Sequence, residues 1–146
     1  MGETITIREA RPEDLSAITG LCAQLGYPAD AAGVKRRFMM IIDNPSHFIR
    51  IASNEAGDVI GWVHALPVCY LESEEFIEIG GLVVDGSSRK QGAGRQLMLA
   101  VEVWARESGV ATIRLRSNVT RREAHQFYQR IGYQIVKEQY TFVKEL

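Results

Sequence analysis

Apolar positions change period several times along this chain. Thr4 to Glu9 alternates apolar and polar residues, the two-residue period of a half-buried strand. From Leu15 the period lengthens. Leu15, Ile18, Leu21, Cys22 and Leu25 recur at helical spacing, with Pro12, Glu13 and Asp14 at the start, Gly26 at the end and Tyr27-Pro28 beyond it. A second helix is predicted from Asp30 to Ile42, closed by Asn44-Pro45. Phe48 to Ala52 and Val59 to Val68 read as strands joined by the turn Asn54-Glu55-Ala56-Gly57-Asp58, and Glu75 to Val84 as another strand. Gly92 to Glu107 is the longest predicted helix. Leu97, Val101, Trp104 and Ala105 form its apolar stripe, and Gly109 caps it. Ala111 to Arg116 alternates again. Thr120-Arg121-Arg122-Glu123 has the form of a capping box and opens a helix that ends near Gly132. Gln134–Val136 and Tyr140–Val143 are predicted as closing strands. The resulting order, β-α-α-β-β-β-α-β-α-β-β, describes a mixed α/β domain with an antiparallel front and at least one parallel crossover.

Composition narrows the function classes. The chain has 146 residues, which suits one domain, and no repeat or linker divides it, so residues 1–146 are expected to fold as a unit. Lys and Arg total 17 against 18 Asp and Glu, so the molecule as a whole is not built to grip nucleic acid or an anionic membrane. No apolar run approaches the ~18 residues of a membrane span. The opening MGETITIREARPEDL lacks the basic-then-apolar order of a signal peptide. Cys22 and Cys69 make neither a disulfide framework nor a metal cluster, and are expected as free thiols in a reducing cytoplasm. His47, His64 and His125 lack metal-ligand spacing, and no metal is expected.

The segment Leu82-Val83-Val84-Asp85-Gly86-Ser87-Ser88-Arg89-Lys90-Gln91-Gly92-Ala93-Gly94-Arg95 carries the most chemistry. A strand runs into a loop, and a long helix starts at the loop's glycine-rich end. Helix N-termini leave N–H groups unpaired and carry partial positive charge. Gly92 and Gly94 would let a diphosphate approach the backbone, with Arg89, Lys90 and Arg95 beside it. A tight strand-to-helix turn on a solvated face would use the same residues. A Walker A loop and a dinucleotide fingerprint both fail on spacing, since Gly94 is followed by Arg95-Gln96-Leu97.

Arg89-x-x-Gly92-x-Gly94 resembles the Arg/Gln-x-x-Gly-x-Gly/Ala signature of the GCN5-related N-acetyltransferases (GNAT family). Asn118, Ala124 and the run Phe127-Tyr128-Gln129-Arg130-Ile131-Gly132-Tyr133 resemble that family's second pattern, in the expected order. The resemblance spans nearly the whole chain. It implies the GNAT fold: a mixed, mostly antiparallel sheet with a splayed parallel pair, flanked by four helices. It also implies acetyl-CoA as co-substrate, lying in a V-shaped opening between strands that match Ile77–Val84 and Ala111–Arg116. Gly80-Gly81 falls where a bulge would part them.

By the same resemblance, backbone groups of Leu82, Val83 and Val84 would pair with the pantetheine arm. Those of Lys90, Gln91, Gly92, Ala93, Gly94 and Arg95, with the Arg89 signature residue, would cradle the diphosphate. Asn118 would bond the cofactor arm. Ala124 would leave room for the cofactor, beside Phe127, and Thr120 to Arg122 would approach its adenosine end. Tyr128 matches the family tyrosine that protonates or stabilises the departing thiolate. Glu78 is the candidate general base. Alternation sends it to the face opposite Ile77 and Ile79, and a carboxylate partly shielded at a strand centre suits that work. Glu72, Glu74 and Glu75 precede it and would draw a cationic amine. With no Cys–His nucleophile pair, direct attack in a ternary complex is expected rather than a covalent acetyl-enzyme.

The reading is therefore an N-acetyltransferase acting on a primary amine, one borne by a small cationic molecule. A CoA-binding sensor without catalysis, or acetylation of a protein amine, is the alternative. A homodimer is compatible, with Gln134–Val143 pairing across the interface.

Overall fold

The computed structural model describes residues 4–26 and 30–146. It divides the chain into two compact units, Met1–Leu115 and Arg116–Leu146. In the first, β1 (Thr6–Glu9) leads through a short turn of helix at Pro12–Asp14 into α1 (Leu15–Gln24), followed by α2 (Ala31–Ile42). Then come β2 (Phe48–Ser53), β3 (Val59–Val68), β4 (Phe76–Val84), α3 (Ala93–Glu107) and β5 (Ile113–Arg114). The second unit holds α4 (Arg122–Arg130). The predicted break at Tyr27-Pro28 lies outside the described residues.

One sheet of order β1-β2-β3-β4-β5 organises the first unit. Neighbours are antiparallel up to β4, and β4 pairs with β5 in parallel. A parallel pair needs a crossover, and α3 supplies it. The two sheet faces carry separate cores, because side chains alternate along each strand. Ile51, Trp62 and Val83 pack with Ile18 and Leu21 of α1 and with Val34 and Phe38 of α2. On the other face Phe48 stacks on Trp104 of α3 at 4.8 Å, and Leu97 lies over Gly61. Leu97, Met98 and Val101 are fully buried, as the predicted stripe required.

Local chemistry sets the element ends. In the hairpin Asn54 accepts from the Asp58 N–H through Oδ1 and donates its own N–H to the Asp58 carbonyl. α3 ends as its glycine predicted. Gly109 is left-handed at φ +77°, and the N–H groups of Gly109 and Val110 donate to the carbonyls of Arg106 and Ala105, the Schellman arrangement.

Three expectations need correction. The strand at Ala111–Arg116 shortens to Ile113–Arg114, because β4 offers a partner only at Ile77 and Glu78. The capping box at Thr120–Glu123 does not form. Asn118 Oδ1 instead accepts from both the N–H and the hydroxyl of Thr120, at 3.2 and 3.0 Å, and α4 begins at Arg122. Gln134–Val136 and Tyr140–Val143 form no strands. Their backbone finds no ladder among the described residues, and strands without one are not stable in water.

Candidate functional site

The site begins at a fault in the sheet. Along β3 and β4 the register runs His64 opposite Gly81, then Ala65 opposite Ile79, so Gly80 is the extra residue of a bulge. Neighbouring side chains fill the space that side chains at Gly80 and Gly81 would need. A Cβ at Gly80 would sit 2.8 Å from Nδ1 of His64, and one at Gly81 would sit 2.7 Å from the Trp62 ring. On its other edge β4 pairs with β5 at Ile77 and Glu78 and no further. Beyond Glu78 that edge, including Leu82, Val83 and Val84, has no ladder partner among the described residues, which is the opening that the paired glycines suggested.

Glu78 lies opposite Leu66 on β3, and Arg114 of β5 stands beside it in register. It is half-buried, whereas Ile77 and Ile79 are buried on the other face. Alternation placed it correctly. Glu72, Glu74 and Glu75 are exposed in the connection before β4.

From Val84 the chain enters the loop that carries the first motif. Two side-chain bonds from α1 hold its start. Gln24 donates to Asp85 Oδ1 at 3.0 Å and accepts from the Gly86 N–H at 2.9 Å. The Gln24 bond to Oδ1, with one from the Ser87 hydroxyl to Oδ2, holds the Asp85 carboxyl below the usual carboxylate range. A turn of helix at Gly86–Ser88 follows. Lys90 is then left-handed at φ +72°, the only non-glycine residue with positive φ among the described residues, and Gly92 is left-handed at φ +90°. Strained backbone of this kind concentrates where ligands are held. Gly92 caps α3, and the first intrahelical bond runs from Gln96 N–H to the Gly92 carbonyl. The N–H groups of Ala93, Gly94 and Arg95 precede it and have no partner within the helix. Nothing lies within 4 Å of a Cβ built at Gly92, and Arg89, Lys90, Gln91 and Arg95 are exposed. Unpaired donors, three cations and open space fit a diphosphate.

The second unit holds the other predicted residues. Asn118 is exposed. Its side-chain oxygen serves Thr120, and its carbonyl is 2.9 Å from Nε2 of His125, which accounts for that histidine as a packing residue. On α4, Ala124, Phe127 and Tyr128 are half-buried. Phe127 and Tyr133 each meet the Tyr128 ring edge-on. Burial pushes the Tyr128 hydroxyl above the ordinary phenol range, with Arg121 opposing. It therefore stays protonated at neutral pH, as a proton donor must.

Sequence reasoning missed one pair. Nδ1 of His47 and Nε2 of His64 are 2.8 Å apart, and the rings stack with centroids 5.0 Å apart. The residues are 17 apart in sequence. Only the hairpin register, with Ile49 opposite His64, brings the entry to β2 against β3. Cys22 and Cys69 are free thiols, Cys22 partly buried and Cys69 exposed. No cluster that could hold a metal ion occurs among the described residues, and no helix among them is long and apolar enough to cross a membrane.

Comparison with known proteins agrees with this geometry. The model described as the Acetyltransferase (GNAT) family matches residues 13–133. The aminoalkylphosphonate N-acetyltransferase of Salmonella typhimurium is 32% identical over 142 residues, which are 96% of this chain and 90% of that protein. The aminoglycoside N(6')-acetyltransferase type 1 of Stenotrophomonas maltophilia is 26% identical over 133 residues, 88% of this chain and 86% of that one. Among solved structures, aminoglycoside N-acetyltransferase AAC(6')-Iy in complex with CoA has the same fold, with a TM-score of 0.86 at 23% identity over 100% of this chain and 98% of that one. With the bulged β4, the interrupted parallel pair and the glycine turn at α3, these matches establish that the chain belongs to the GNAT family of acetyltransferases.

Proposed function

We propose that this enzyme moves the acetyl group of acetyl-CoA to a primary amine of a small cationic molecule by direct attack in a ternary complex. The observation that carries the reading is the turn at Arg89–Arg95, where left-handed backbone, unpaired helix donors and three cations meet. Leu82, Val83 and Val84 would pair with the pantetheine arm along the unpartnered edge of β4, and Asn118 would hold the arm further on. Ala124 and Phe127 would line it. The co-substrate supplies an activated thioester; the chain supplies orientation and proton transfer. Glu78 takes a proton from the incoming ammonium, directly or through water, and Tyr128 protonates the departing thiolate. A small amine acceptor is favoured by the likeness to an aminoalkylphosphonate N-acetyltransferase over nearly the full chain. The acidic stretch from Glu72 to Glu78 would attract the cation. The reading belongs to a reducing cytoplasm, where free thiols such as Cys22 and Cys69 persist, and extends to a homodimer joined through residues 134–143.

The test joins binding to turnover. Calorimetric titration with CoA should give a saturable heat, and a thiol-release screen should find activity among aminoalkylphosphonates, aminoglycosides, polyamines and amino acids. Tyr128→Phe should lower kcat at least about tenfold and leave CoA affinity unchanged. Glu78→Gln should lose most activity near neutral pH, and a pH–rate profile identical to that of the wild type would remove Glu78 from the mechanism. No heat with CoA would overturn the whole reading.

A further inference from the structure

Acetylation of an ammonium removes two protons from its nitrogen. One must leave before attack, because the lone pair is otherwise occupied. The second leaves after the N–C bond has formed, when the nitrogen carries a positive charge in the tetrahedral adduct. Two acceptors, or one acceptor emptied between steps, are therefore needed, and Glu78 accounts for the first departure only.

The bulge offers a second acceptor. His64 stands on β3 on the face that packs against α1 and α2, since its partner Ile49 belongs to that core. Its Nδ1 edge points at Gly80, at 2.8 Å from where a Cβ would lie, and Gly80 is exposed. Glu78 belongs to the same face, because it is paired with Leu66, which also lies 3.5 Å from where a Cβ at Gly80 would be. Behind His64, Nε2 meets Nδ1 of His47 at 2.8 Å. If that bond is donated by His64, the Nδ1 lone pair is left facing the bulge. A side chain at Gly80 would sit against Nδ1, and the glycine leaves that space open.

We propose that His64 is a second proton acceptor of the proposed acetyl transfer, taking the proton of the acetylated nitrogen at Nδ1, and that His47 is a positioning residue that fixes the His64 tautomer. The step balances. The N–C bond forms from the amine lone pair, one N–H bond breaks with its proton passing to Nδ1, and the C–S bond breaks with its electron pair leaving on sulfur, which takes a proton from Tyr128. When the amide departs, Glu78 and His64 return their protons to water and Tyr128 regains one, so each turnover releases a single proton. Burial and the neighbouring His47 lower the His64 pKa to about 4, so the ring is neutral at working pH. The other titratable and charged groups near the pair are Glu78 of β4, on the same face as His64, and Glu9 of β1 and Arg50 of β2 beside His47.

The proposal rests on the acetyl-transfer reading, and its test keeps the two apart. In the wild-type protein, nitrogen-detected NMR of the imidazoles should show His64 neutral at pH 7 as the Nε2–H tautomer. An Nδ1–H tautomer would overturn the proposal without any assay. His64→Gln should lower kcat on the order of 10²-fold with the KM for acetyl-CoA unchanged. His47→Ala should lower kcat about tenfold and raise the titration midpoint of His64. His47→Gln, which keeps an acceptor, should recover most of that loss. Turnover by His64→Gln within twofold of the wild type, in a protein that still binds CoA and acetylates an amine, would sink the histidine proposal alone. Failure of the wild type to bind CoA would remove the underlying reading and the histidine role with it.

Discussion

Asp14 illustrates how much one side chain settles. It is buried at the turn before α1, receives two bonds of 2.8 Å from the Arg8 guanidinium, and accepts a third from the Arg11 N–H. The Arg8 bonds are the main reason its carboxyl titrates below the usual range, against the opposing effect of burial. A pKa lower in the folded than in the unfolded chain means stability that is present above about pH 4 and lost as pH falls through the folded value. Asp14→Asn should therefore cost about 1.5–3 kcal/mol at pH 7, measured by urea denaturation, and the gap to the wild type should close as the pH drops below 4. A gap that stays constant down to pH 2 would show that the charge is irrelevant. At this scale the sequence was readable where a residue answers to its own strand. Glu78 faces away from Ile77 and Ile79 because a pleat alternates. The His47–His64 pair was not readable, because its 2.8 Å contact depends on the register between two strands and on how the chain enters β2.

Elements were legible in proportion to how far they carry their own hydrogen bonds. Helices satisfy their backbone internally, so apolar period and end residues placed α2 and α3 to within a residue, while α1 begins at Leu15 after a separate turn at Pro12–Asp14. Strand length depends on a partner that local sequence does not specify. This is why six alternating residues at Ala111–Arg116 gave only Ile113–Arg114. The opening of α4 failed for a related reason: Asn118 competes for Thr120 and displaces the predicted cap. The link between α1 and the loop after β4 was equally hidden, since Gln24 reaches Asp85 across 61 positions. If that link presets the loop for a diphosphate, Gln24→Ala should weaken CoA binding roughly three- to tenfold, as two modest hydrogen bonds allow. Helix content should not change. Equal calorimetric affinities would show that the loop is held by other means.

For the molecule as a whole, apolar exposure is concentrated near the end of the chain. Ile135, Val136, Tyr140, Phe142 and Val143 are each at least 65% exposed. Exposed apolar side chains on backbone that joins no ladder offer a surface for another chain. The proposed homodimer predicts twice the monomer mass in light scattering, and Tyr140→Lys with Phe142→Lys should return the monomer; an unchanged mass would exclude these residues from the interface. Overall charge is close to neutral, so recognition has to come from small local arrangements such as the turn at Lys90. A side chain at φ +72° costs on the order of 1 kcal/mol that glycine would avoid. Lys90→Gly should therefore melt at a higher temperature in the absence of nucleotide, yet gain less than the parent when CoA is added. In thermal-shift experiments the two curves should cross as ligand rises, so that a residue which weakens the empty protein marks where it was shaped for its cargo.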